Sequence, residues 1–205
     1  GAPVKKMEFD SITDAKEFLR NYSDVDNFKI YGLDKFAYTF LNDYYPGEIL
    51  FDKDQIHTAK FDIEVDSKDG FPDVVKADRM LTAITIKCGK VVHSFGYKDF
   101  DGSKVGTLYF QCKDEEQLIL KFIKSWQAFD IDVLTGWNIE FFDIPYLVNR
   151  IRKVMGKKFA NLLSPWGILQ EGNVEIFGKQ QQTFNPLGIM VLDYLQLYRK
   201  FTYTQ

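Results

Sequence analysis

The chain has 205 residues, 45% hydrophobic and 16% aromatic, enough for one sizeable core with a smaller appended lobe. Its formal net charge of −3 argues against a protein that grips nucleic acid along a broad basic face, so any such contact must be local. No apolar run reaches the roughly 20 residues of a membrane-spanning helix, and the opening GAPVKKMEFD has no hydrophobic stretch of signal-peptide type, which makes a cytoplasmic address the default. That opening also lacks an initiating methionine, as a piece of a longer protein would. Cys88 and Cys112 stand apart without C-x-x-C spacing or a histidine cluster, so neither a disulfide framework nor a zinc site is indicated.

In chain order, SITDAKEFLRNY (11–22) offers a capping serine and then Ala15, Phe18, Leu19 and Tyr22 at helical spacing, which predicts a first helix. A second short helix around DKFAYTFLNDYY groups Phe36, Ala37, Phe40 and Leu41, and Pro46-Gly47 then turns the chain into an extended EILFD. Residues 1–58 are thus expected to form a small α+β lobe without a chemical motif. From residue 59 the pattern changes to strands, AKFDIEVD, RMLTAITIKCG, KVVHSFGY and GTLYFQC, expected to run as a meander. DEEQLILKFIKSWQAF has an acidic start and Leu118, Ile119, Phe122, Ile123 and Trp126 at helical spacing; it would cross over to DIDVLTGWN, a buried parallel strand. DIPYLVNRIRKVMG reads as a helix with Pro145 in its first turn and Gly156 at its end, and NVEIFGKQQQTF (173–184) as a projecting hairpin across Gly178-Lys179. The fold class predicted is α/β, a mixed sheet flanked by helices.

Two places carry candidate chemistry. In KFDIEVDSKDGF, Asp62, Glu64 and Asp66 fall on one side of a strand while Phe61, Ile63 and Val65 face the other. A solvated polar face accounts for that alternation, and so does a divalent-metal site. In LTGWNIEFFDIPYL, Asp143 stands where a strand opens into a helix. An N-cap explains it, while the flanking Phe142 and Asn138 would suit an unpaired nucleotide at a strand's C-terminal end. The basic run Arg150, Arg152, Lys153, Lys157 and Lys158 is either compensation for a helix dipole or a local grip on phosphates.

Taken together, FDIEVDSKDGFP followed by LTGWNIEFFDIPYL resembles the first and second exonuclease motifs of family B DNA polymerases, in the branch found in T-even-type bacteriophages. The likeness continues through LSPWG and IMVLDYLQLYRKF and more loosely through the N-terminal lobe. It implies an RNase H-like fold, with residues 59–205 forming a 3'→5' proofreading exonuclease domain, truncated at its C-terminus, and residues 1–58 part of the polymerase's N-terminal lobe. By the same resemblance, Asp62, Glu64 and Asp143 are catalytic and ligate Mg²⁺ or Mn²⁺ in a two-metal site. Asn138, Phe142 and Phe71 would contact the frayed 3' strand, and Gly178 and Lys179 belong to a hairpin that helps hold primer and template apart. The implied partners are a single-stranded DNA 3' end, primer-template DNA, the palm, fingers and thumb of the polymerase, and a sliding clamp reached through the parent protein.

The family's third motif, Tyr-x-x-x-Asp, would fall beyond Gln205, and no aspartate pair of the polymerising type follows the second motif. The chain is therefore expected to be unable to polymerise and nearly inactive as a nuclease by itself. Asp193 lacks a tyrosine four residues earlier and is expected to be a satisfied structural carboxylate. The alternatives are a single-stranded DNA-binding module without chemistry, or an independent RNase H-like nuclease.

Overall fold

A computed structural model describes residues 3–31, 36–68, 70–176 and 178–202, with only the backbone described for residues 36, 37 and 176. Asp69 in the first acidic motif, Phe177 in the predicted hairpin and residues 203–205 lie outside this set. The chain divides into two units, Gly1–Phe51 and Asp52–Gln205.

In the first unit, α1 (Ile12–Tyr22) starts where Ser11 accepts a hydrogen bond from the Asp14 amide at 3.1 Å. This cap satisfies one of the free N–H groups of the first turn. Phe18 lies at the centre of an aromatic cluster with Phe9, Tyr22 and Phe28. The second helix, α2 (Phe36–Tyr44), leaves Phe40 and Leu41 exposed; the expected positions Phe36 and Ala37 have no described side chains. Among the described residues this unit contains no strand, so the predicted extension EILFD does not become one.

The second unit is built on a six-stranded mixed sheet. Four strands form its first part: β1 (Thr58–Val65), β2 (Leu81–Cys88), β3 (Val91–Gly96) and β4 (Leu108–Gln111). Helix α3 (Glu115–Ala128) then leads to β5 (Val133–Gly136), which lies parallel to β1 as expected of a helical crossover. Next come α4 (Ile144–Val154) and the short α5 (Lys157–Ala160), the hairpin strands β6 (Leu169–Ile176) and β7 (Lys179–Pro186), then β8 (Met190–Asp193) and α6 (Tyr194–Thr202). The sheet order is β4-β3-β2-β1-β5-β8, with β6 and β7 paired separately.

The spatial order of β1 to β4 is that of a meander, but β4 runs parallel to β3. The reason lies in the connection, which is too long for a hairpin and contains a 3₁₀ turn (Gly102–Val105) that returns the chain to the end from which β3 started. The hairpin differs in two respects. Ile176 pairs with Lys179, so Lys179 is already strand and not part of the turn. Gly178, at φ +72°, supplies the left-handed residue that such a turn needs. Its base is also core, because Phe184 and Pro186 are buried.

The core forms because β1 alternates as its sequence does: Ala59, Phe61 and Ile63 are buried, and Lys60, Asp62 and Glu64 are exposed. Phe61 packs edge-on to Trp126 at 5.7 Å and against Phe122, both from the buried stripe of α3. Each such ring contributes about 1.5–3 kcal/mol on full burial. Burying one face of β1 this firmly fixes its register, and with it the side on which Asp62 and Glu64 stand.

Candidate active site

Asp62 and Glu64 project from the open face of β1. Opposite them the chain leaves β5 through an abrupt change of conformation. Gly136 ends the strand where a side chain would run into Ile139 and the carbonyl of Phe61, so only glycine lets the turn pack this closely. Asn138 is left-handed (φ 59°), a conformation that Asn tolerates better than most residues. One π-helical turn (Ile139–Asp143) then precedes α4.

Asp143 comes at the end of that turn and does not cap α4, since its side chain makes no bond to the helix's first amides. Its Oδ1 accepts instead from the Ile63 N–H at 3.1 Å, on the residue between Asp62 and Glu64. The strand-end aspartate is thereby tied to the acidic strand. At 3% exposure, burial pushes the Asp143 carboxyl up to about 7, and the nearby charges of Asp62 and Asp193 push the same way against the Ile63 hydrogen bond. Asp62 keeps accessible surface, yet crowding around its carboxyl raises it as well. Burial, helped by Asp193, also raises Glu140.

The donor chemistry suits a hard divalent cation: oxygen ligands only, and a buried carboxylate whose repulsion with its neighbour a cation would relieve. Closure is incomplete, because among the described residues no three His, Cys, Asp or Glu side chains converge enough to hold a metal ion. Asp66 stands at the strand end, where its carboxylate accepts from the Lys68 amide.

A cleft of about 410 Å³ is lined by Phe71, Val74, Asn138, Phe142, Gln182 and Arg199 among others; it reaches Phe142, the residue before Asp143, while Asp62, Glu64 and Asp143 do not line it. Phe71 is 81% exposed and meets Phe142 at 5.1 Å, while Phe142 also stacks on Tyr146 at 5.8 Å and packs partly against the core. Three predicted nucleotide contacts, Phe71, Asn138 and Phe142, therefore share one cavity. Gly178 and Lys179 are at the exposed tip of the hairpin and do not line it. Phe141, Gln180 to Gln182 and Arg199 also line it, unforeseen in the sequence. Their only signal was adjacency: Phe141 stands next to Phe142, and the glutamines follow the hairpin turn.

The basic run divides. Arg150 forms a bidentate pair with Glu115 (2.8 and 2.6 Å), both side chains 12% exposed, and also donates to the Ala77 carbonyl. Arg152 binds Glu171 and lies over the Phe184 ring. These two arginines are structural, while Lys157 and Lys158 remain exposed. Asp193 is buried with its carboxylate satisfied by three backbone amides.

The description "DNA polymerase family B, exonuclease domain" matches residues 25–205, and the chain belongs to that family. It is similar along its whole length to the DNA-directed DNA polymerases of Escherichia phage RB69 (30% identity) and Enterobacteria phage T4 (27%), which places it with the T-even-type branch. In each case it spans 26% of the relative's length. The family B DNA polymerase of the hyperthermophilic archaeon Pyrobaculum calidifontis has a similar fold, with a TM-score of 0.50 and 21% identity over 71% of this chain and 16% of that one.

Proposed function

We propose that the second unit is the 3'→5' proofreading exonuclease of a phage-type DNA-directed DNA polymerase, hydrolysing the terminal phosphodiester of single-stranded DNA and releasing deoxynucleoside monophosphates. The observation that carries this is the placement of Asp143 against the Asp62–Glu64 strand beside a cleft walled by Phe71, Phe142 and Asn138. Asp62, Glu64 and Asp143 would hold Mg²⁺ or Mn²⁺. Bound ions supply charge neutralisation and an activated water. Asp143 must give up its proton to serve as a ligand, which its pKa of about 7 allows at mildly alkaline pH.

Phe142 offers its ring to the terminal base, where stacking is blind to base identity and requires an unpaired face. Phe71 closes the other side of that platform, and the Asn138 amide fixes the strand's direction. Gly178 and Lys179 at the hairpin tip would meet the primer-template junction. Residues 1–58 would belong to the polymerase's N-terminal lobe and 59–205 to the nuclease. The remaining polymerase domains and, through them, a sliding clamp would be partners at the replication fork in the host cytoplasm. Among the described residues no helix is long and apolar enough to cross a membrane.

A non-catalytic strand-binding module is the second reading, favoured by the incomplete convergence of the carboxylates. Incubation of 5'-labelled single-stranded DNA with Mn²⁺ decides between them. Stepwise shortening from the 3' end, lost in Asp62→Ala, supports the nuclease. A bound complex without shortening, in this chain and in a longer one from the same parent, supports the module.

A further inference from the structure

Asp193 ends β8 directly beside Gly136, which ends β5 in the same parallel register. From there its carboxylate reaches across the strand ends. Oδ1 accepts from the amides of Asn138 (3.1 Å) and Leu195 (2.8 Å), and Oδ2 from that of Glu140 (2.9 Å). These bonds bracket the left-handed residue and the first part of the π turn, the two departures from regular structure that carry the chain to Phe142 and Asp143. Carboxylate-to-amide bonds are charge-assisted and directional.

At 4% exposure the Asp193 carboxylate is buried at the strand ends, with both oxygens committed to these amides.

On the nuclease reading above, we propose that Asp193 is a positioning residue: its buried carboxylate holds the strand-end turn in the one conformation that sets Asp143 against β1. It touches neither substrate nor metal and acts through backbone amides. Asp193→Asn is the informative variant, because an amide oxygen can still accept from Asn138 and Leu195 while its NH₂ group opposes the Glu140 N–H.

The test reads two quantities. In this chain, the Ile63 amide resonance reports where the Asp143 carboxylate sits, since that amide donates to it. In the longer parent polymerase, the rate of mononucleotide release reports the chemistry. Asp193→Asn is expected to move the Ile63 resonance toward its position in Asp143→Ala, and to lower kcat roughly 10–100-fold while KM for a short oligonucleotide changes less than about threefold. If only the Asn138, Glu140 and Leu195 amides respond while Ile63 or kcat stays in place, Asp193 is a local staple and the proposal fails. Should Asp193→Asn not fold, Asp193→Glu keeps the charge but displaces it by one methylene, and the same readouts apply. A wild-type parent that releases no mononucleotides would instead refute the nuclease assignment, with the Ile63 resonance still deciding whether Asp193 positions Asp143.

Discussion

At Asp143 the molecule holds a carboxylate that its surroundings favour in the neutral form, with a pKa of about 7 against an ordinary 3.8. Between those values the folded state binds more protons than the unfolded one, so without metal the stability falls as pH rises through this window, and the full penalty is present above it. Asp143→Asn keeps the acceptor for the Ile63 amide and abolishes the titration. In metal-free buffer it should melt higher than the wild type at mildly alkaline pH, with the gap shrinking as pH falls below about 7 and closing near the ordinary carboxylate value of 3.8. A gap independent of pH would show that burial of the charge is not the cause. Phe142 makes a second test at this scale. It is half-buried between Phe71 and Tyr146, so Phe142→Ala should weaken binding of a short single strand by about 1–3 kcal/mol while costing less than the roughly 3–5 kcal/mol of a core phenylalanine. Melting temperature and oligonucleotide affinity, measured on the same variant, separate the two effects.

Helix α4 connects the parts of the site. Its first residues follow Asp143, and its Tyr146, Asn149, Arg150 and Lys153, spaced along one face, bind the backbone of the loop after β1 at Arg79, Val74, Ala77 and Lys76. Asn149 also donates to Gln182 of β7, so it bridges the loop and the hairpin that form two walls of the cleft. Breaking the part-buried Arg150–Glu115 pair by Arg150→Ala should cost about 1–3 kcal/mol, because Glu115 would lose its counter-ion and keep only the Leu81 amide. Chemical denaturation measures this, and a loss below about 1 kcal/mol, typical of a surface pair, would contradict it. The sequence made α3, α4, β1 and β5 legible because their apolar periods are strong and their ends carry Asp, Pro or Gly signals. It concealed the parallel β3–β4 pairing, which depends on the path of a loop with no hydrophobic period. The role of the arginines was hidden for a related reason: their partners, Glu115 and Glu171, are distant in sequence. Asp143 looked like a cap because a strand–Asp–Ile–Pro junction is how many helices start, and the π turn that redirects it has no marker of its own.

Over the whole molecule, one unit carries the acids, the cleft and the hairpin, while the first 51 residues form a unit of their own with its own aromatic cluster. The chemistry proposed requires a cation shared by Asp62, Glu64 and Asp143, so calorimetry with Mn²⁺ should show heats that Asp62→Ala and Asp143→Ala abolish. The central claim is tested most directly by the product that a polymerase carrying residues 1–205 makes from 5'-labelled single-stranded DNA in the presence of Mg²⁺. The account predicts a ladder shortening from the 3' end with mononucleotides accumulating, eliminated by Asp143→Asn; an undegraded strand, or a ladder that survives that substitution, would contradict it.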